Sequence, residues 1–225
     1  MNMHMKELMN MKIWFCWRFE DRKGQRTKVP KTIYGTATGT SAKYAYSWVT
    51  YEDAQAAADK FDGIGFVIPE GYFFLDIDHM ALDDPYVQTM LERFDSYAER
   101  SVSKGGIHIY GKCDVSKIPT FTDKDGKRKL DKAYYMKNPN NGTELYYGGI
   151  TNRFAAFTGD VIWDQPLKDC TNALLVTLDK NMRRKAKEKY SAKRDGENKA
   201  VFDIVANLQK QKNGGKFQKL YQDGD

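Results

Sequence analysis

Cysteine is scarce in this 225-residue chain. Cys16, Cys113 and Cys170 are scattered too widely for a disulfide framework or a Cys-x-x-Cys zinc site. Free thiols are therefore expected. Histidine is equally sparse: His4, His79 and His108 stand far apart, which disfavours a histidine-rich transition-metal cage, so any metal should be hard and carboxylate-bound. No stretch approaches the ~20 consecutive apolar residues that span a bilayer. The start Met1-Asn2-Met3-His4-Met5-Lys6 carries no apolar segment of signal-peptide length. These absences argue against a membrane or exported protein and for a cytoplasmic one. Internal repeats and low-complexity runs are missing as well.

What is present suits a globular protein. Hydrophobic residues at 41% and a chain of 225 residues suffice for one substantial core with an appendage. The formal net charge of +6 is concentrated: nine basic residues against three acidic ones fall between Lys180 and Lys199, so the rest of the chain is balanced. Such a segment either holds phosphates near a site or is a solvated helix or linker.

Local patterns predict a mixed α+β domain of hairpins and helices. Ile13 to Arg18 and Thr27 to Pro30 form a first hairpin around Lys23-Gly24. A helix begins near Thr50, whose hydroxyl can cap it, and stops before Gly63. Ile64 to Ile68 and Tyr72 to Asp78, three residues apart, are expected to pair as antiparallel neighbours. Asp84 to Glu99 should be helical, with Val87, Met90, Leu91 and Phe94 on one face. Ser101 to Gly106 is a loop, and Ile107 to Tyr110 alternates as a strand, with His108 and Tyr110 sharing a face. Lys117 to Thr143 is a polar, lysine-rich excursion with turns at Asp125-Gly126 and Asn140-Asn141-Gly142. Glu144 to Tyr147 and Arg153 to Thr158 follow as strands, and Lys199 to Leu208 opens a further short helix.

The most informative motif is Asp76-Ile77-Asp78. Side chains at i and i+2 of a strand share a face and lie roughly 6–7 Å apart. Two divalent ions about 3.5–4 Å apart, as in polymerases and nucleases, fit between such oxygens. The competing reading is a half-solvated strand with acids on its wet face. Lys104-Gly105-Gly106, with free backbone amides beside Ser103, is either a concavity for phosphate oxygens or an ordinary hairpin loop. His108, just inside the next strand, can neutralise a phosphate or simply sit on the surface. Glu144 supplies a third carboxylate and Arg153 a cation nine residues later. Tyr146 and Tyr147 suit base stacking and core packing equally. Gly106 to Lys112 matches the Gly-x4-Gly-Lys spacing of a phosphate loop, but Cys113 stands where Ser or Thr must bind magnesium and the interior alternates as a strand.

Over most of the chain this ordered set resembles the primase-polymerase domain of phage and plasmid replication proteins, in the archaeo-eukaryotic primase superfamily. The residues that carry it are Trp14, Trp17-Arg18, Lys28-Val29-Pro30, Gly35, Ala37, Trp48, Gly63 to Phe66, Asp76 to Asp78, Ser96 to Glu99, Ser103 to His108, Glu144 with Tyr146, and Arg153 to Gly159. The resemblance implies an archaeo-eukaryotic primase fold with an RRM-like catalytic half, a mixed or antiparallel sheet and flanking helices. It implies a catalytic domain over residues 1–179, then over 180–225 a basic linker and the start of a truncated helix bundle. Asp76, Asp78 and Glu144 would hold two Mg²⁺ or Mn²⁺ ions and His108 would share in catalysis. Ser103, Lys104, His108, Arg153 and Tyr146 would bind nucleotide, and Arg18 and Lys28 DNA.

The implied activity is template-dependent nucleotidyl transfer, DNA priming and polymerisation, in a bacterial host's cytoplasm. Its partners would be single-stranded DNA, nucleoside triphosphates and a helicase in the same or a partner chain. A non-catalytic single-stranded-DNA-binding module and a metal-dependent nuclease are the alternatives. The chain departs from the family's usual Ser-Pro-Ser-Gly by reading Ser101-Val102-Ser103-Lys104, which puts a lysine where glycine gives freedom.

Overall fold

In the computed structural model, residues 3–184 are described and form a compact unit ending at Arg184. The predicted helix over Lys199 to Leu208, the truncated helix bundle and the basic segment from Lys185 onward lie outside the described residues. The unit is α+β, with two antiparallel sheets and four α-helices among the described residues. In chain order the strands are β1 (Trp14–Arg22), β2 (Gln25–Lys31), β3 (Gly63–Val67), β4 (Tyr72–Asp78), β5 (Ala98–Arg100), β6 (Gly106–Lys112), β7 (Thr120–Thr122), β8 (Arg128–Leu130), β9 (Lys137–Asn138), β10 (Thr143–Tyr147), β11 (Phe154–Phe157) and β12 (Val161–Trp163). The helices are α1 (Lys6–Met9), α2 (Tyr51–Ala57), α3 (Pro85–Phe94) and α4 (Thr171–Thr177).

The first sheet has the order β11-β3-β1-β2 and the second β12-β5-β6-β4-β10-β9, while β7 and β8 form a separate hairpin. The β1–β2 hairpin turns at Lys23 and Gly24, both at positive φ, as a two-residue turn that follows strand twist requires. Thr50 caps α2 by accepting the Asp53 N–H at 3.3 Å. In α3, Asp84 caps the N-terminus, Pro85 opens the first turn, and Asp95 ends the helix in the left-handed conformation.

Two expectations are corrected. β3 and β4 do not pair with one another: β3 lies between β1 and β11, and β4 between β6 and β10. Each strand is interior to its sheet and hydrogen-bonds a neighbour on both sides, so the Pro69–Gly71 connection carries the chain from one sheet to the other. The helix predicted through Glu99 stops at Phe94, because the following residues leave as β5 to pair with β6 and β12. Beyond the expected 179/180 boundary, Lys180 to Arg184 pack on this unit: Asn138 and Asn141 donate to the Asn181 carbonyl.

Alternation along β4 positions the site. Phe73, Leu75 and Ile77 face α3 and α4, where they pack with Val87, Met90, Leu91, Phe94, Leu174 and Leu178. Full burial of such side chains contributes about 1.5–3 kcal/mol each. Phe74, Asp76 and Asp78 point the other way, as do His108 and Tyr110 of β6 and Glu144 and Tyr146 of β10. Phe74, Tyr110 and Tyr146 join a second core with Trp14, Ile64 and Phe66 of the first sheet and Ala54 of α2. β11 is the edge strand that meets this face, where the Tyr110 hydroxyl oxygen lies 3.3 Å from the Ala156 carbonyl.

Candidate active site

Strand register assembles a row of five polar side chains across the second sheet. Glu99 pairs with His108, His108 with Asp76, Asp76 with Glu144, and Glu144 with Lys137, so residues from five strands project side by side from one face. One step along that face lies an aromatic row in which Phe74 stacks between Tyr110 and Tyr146, with ring centroids 5.3 and 6.0 Å away. Above the rows is a cavity of about 290 Å³. Its walls include Asp76, His108, Glu144, Tyr146, Lys28 of β2 and Arg153 before β11.

Glu99 is fully buried and saturated with donors. Its Oε1 accepts from the Tyr110 hydroxyl at 2.9 Å, the Thr158 N–H at 3.0 Å and His108 Nδ1 at 3.1 Å, and its Oε2 from the Gly159 N–H at 2.8 Å and the Tyr97 hydroxyl at 3.4 Å. A carboxylate oxygen only accepts, so His108 Nδ1 carries a hydrogen toward Glu99 and Nε2 is presented to Asp76, 3.8 Å away. The buried imidazole is thereby locked in one orientation.

Asp76 is placed differently. Its Oδ1 is buried without a hydrogen-bond partner. Burial pushes its carboxyl up to about 6, opposed by His108 and reinforced by the neighbouring Asp78 and Glu144 charges. A buried, unpartnered carboxylate oxygen beside two further acids is a site that a hard cation relieves, and an all-carboxylate donor set is the kind Mg²⁺ and Mn²⁺ take. Among the described residues, no three His, Cys, Asp or Glu side chains converge tightly enough to enclose an ion as they stand. Glu144 is engaged elsewhere, its carboxylate accepting from Lys137 Nζ and from the Tyr146 hydroxyl. Burial and that bond to Glu144 push the Tyr146 phenol up, so it remains a donor.

The structure thus brings Asp76, His108, Glu144, Tyr146, Arg153 and Lys28 around one cavity, with Asp78 two residues on from Asp76 along the same strand face. Tyr147 falls on the opposite face, in the helix-packed core. Ser103 and Lys104 do not line the cavity; they occupy the loop into β6, whose first residue, Gly106, pairs with Asp78. A side chain at Gly106 would meet the Ile77 carbonyl at 2.2 Å, so glycine is needed for this close strand approach. Lys104 adopts φ 60°, so the loop keeps a glycine-like conformation despite its lysine. Arg18 is not brought to the cavity: it donates to the Lys60 carbonyl at 2.6 Å and lies over the Phe61 ring.

Sequence reasoning assigned no role to Glu99 or Lys137. Tyr97-Ala98-Glu99 alternates as a strand does, but the helix predicted from Asp84 concealed it. Lys137 lay unremarked in the polar excursion. Cys16, Cys113 and Cys170 are free and buried, and burial pushes their thiols up, Cys113 to about 12, which removes thiolate chemistry at neutral pH. Among the described residues, no helix is long and apolar enough to cross a membrane.

A scan against protein-family models finds no match for the chain, and a search of curated proteins finds none.

Proposed function

We propose that this chain is a template-dependent nucleotidyltransferase, a primase-polymerase that extends or initiates nucleic-acid strands on single-stranded DNA. The observation that carries the reading is the row His108, Asp76 and Glu144, in which a buried, unpartnered Asp76 oxygen faces a cavity that also holds Lys28 and Arg153. Nucleotidyl transfer needs that combination, with acids to hold cations at the reacting phosphate and fixed positive charge for the displaced pyrophosphate.

Asp76 and Asp78 would hold Mg²⁺ or Mn²⁺, joined by Glu144 once Lys137 releases it. When bound, the ions supply activation of the attacking 3′ oxygen and stabilisation of the leaving pyrophosphate. Glu99 keeps the His108 ring aimed at the cavity, so Nε2, when it carries a proton, donates to an arriving phosphate oxygen without reorientation. Lys28 and Arg153, both in the cavity lining, would attract the triphosphate. Ser103 and Lys104 lie outside the cavity lining, in the loop into β6, and would meet only the outer phosphates of a triphosphate that extends beyond the cavity. Tyr146, stacked on Phe74, offers an aromatic edge to an incoming base.

Primer extension on a short single-stranded template, with Mg²⁺ or Mn²⁺ and each nucleotide set, tests this. Extension that Asp76→Ala and Asp78→Ala both abolish is the expected result, and extension that survives either substitution overturns it. The engagement of Glu144 by Lys137 and Tyr146 favours a second reading, a single-stranded-DNA-binding module without chemistry. Tight template binding with no extension, unchanged by Asp76→Ala, would select it. Primer shortening would instead indicate a nuclease.

A further inference from the structure

A second cavity lies beside the carboxylate cleft, with Arg153 in the lining of both, and the proposed function leaves it without a role. It has a volume of about 800 Å³ and is enclosed by the β7–β8 hairpin, the turn that follows it, the connection between β10 and β11, and Arg184. Its floor is apolar, with Phe121, Leu130, Met136 and Ile150. Its charged groups are four cations, Lys129, Lys132, Arg153 and Arg184, against the single carboxylate of Asp131, which is occupied in accepting the Ala133 N–H at 2.8 Å.

An aromatic ring and a cation of the lining already meet, Lys132 Nζ lying 5.0 Å from the Phe121 ring centroid, and the Arg184 guanidinium lies 4.2 Å from the ring centroid of Tyr135, which is outside the lining. Arg153 lines both cavities, and the consecutive residues Met136 and Lys137 border one each, so only a thin partition separates the two.

We infer that this cavity, built largely by the polar excursion, is the docking site for a single-stranded nucleic acid, which reaches the carboxylate cleft past Arg153. The inference rests on the proposed function for the strand's role as template, but the binding it asserts stands independently. Bases have apolar and aromatic side chains to rest on, and phosphates have four cations in the same lining, the two elements that single-strand binding combines. Free triphosphate has less use for the floor, and a duplex cannot insert its stacked bases into it.

The test is fluorescence anisotropy of a labelled single-stranded oligonucleotide with the full chain, without nucleotide or divalent metal, across a salt series. Lys129→Glu combined with Lys132→Glu is expected to weaken binding more than tenfold. Loss of two phosphate contacts should also flatten the dependence of log K on log salt by about 1.4. Phe121→Ala should weaken binding roughly tenfold, as loss of one base stack does. The neutral pair Lys129→Gln with Lys132→Gln guards against misfolding of the charge reversal and should show the same flattening.

Affinity and salt slope unchanged in a folded double variant would overturn the inference, even if primer extension succeeds. Failure of every chain to extend primers, with the Lys129 and Lys132 effects intact, would leave the docking site standing and remove the polymerase reading.

Discussion

Glu99→Gln is the substitution that most directly probes the architecture of the site. The two side chains are nearly isosteric, so no cavity opens and the change is one of hydrogen-bond chemistry. In the native protein Oε1 accepts from the Thr158 N–H and Oε2 from the Gly159 N–H, and neither peptide group can turn away. Whichever way the glutamine amide is oriented, its NH₂ group faces one of these backbone donors, which loses its acceptor and opposes the N–H of a fully buried side chain. An unsatisfied buried donor costs about 1–3 kcal/mol. The carboxylate's stronger, charge-assisted bonds to Tyr110 and His108 are weakened as well. A net loss of about 2–4 kcal/mol is expected.

Urea denaturation followed by tryptophan fluorescence measures that loss directly, since Trp14 and Trp17 are buried in the first sheet. Near the melting temperature the same change lowers Tm by roughly 5–12 °C for a chain of this size. A denaturation midpoint within about 0.5 kcal/mol of the native protein would refute the reasoning, because it would mean that the five contacts to Glu99 contribute nothing net. Glu99→Asp, too short to reach all five donors, should fall between the two.

Two further outcomes follow from the same structure. Because burial raises the Asp76 carboxyl from 3.8 to about 6, the folded protein holds this proton more tightly than the unfolded chain. Its favourable contribution is complete below pH about 4 and is lost as pH rises through 6, on the order of 3 kcal/mol in chelator-treated, metal-free buffer. Asp76→Asn should remove this component, so the stability difference between the two proteins should change by that amount between pH 4 and 7. Parallel stability profiles would contradict it. At Lys104, whose φ is 60°, replacement by glycine relieves the left-handed strain but loosens the unfolded chain. A net gain of about 0.5–1 kcal/mol in thermal or urea denaturation is expected, and a loss would show that Lys104 makes contacts that outweigh the strain.

Much of the local structure was legible because its causes are local. Lys23-Gly24 announces a two-residue turn, Thr50 a helix cap, and Ile107-His108-Ile109-Tyr110 a strand with His108 and Tyr110 on one face, and each is found as the pattern predicts. The loop after Val67 was misread for a physical reason. Its four residues, Ile68 to Gly71, are equally able to close a hairpin or to hand the chain from one sheet to another, and only the distant partners β1, β11, β6 and β10 decide between these. The extent of α3 failed similarly, since Ser96 to Glu99 is claimed by β6 and β12, which the helical spacing of Val87, Met90, Leu91 and Phe94 cannot reveal.

The sequence by itself determined that Asp76 and Asp78 share a strand face and that His108 faces opposite to Ile107 and Ile109. These depend on strand alternation, which acts within a few residues. Only the tertiary structure decided that Glu99, His108, Asp76, Glu144 and Lys137 form one row, that Lys28 and Arg153 face it while Arg18 does not, and that the excursion after Lys117 walls a second cavity. Register between strands far apart in the chain is set by burial of the whole core, and no short stretch of residues carries that information.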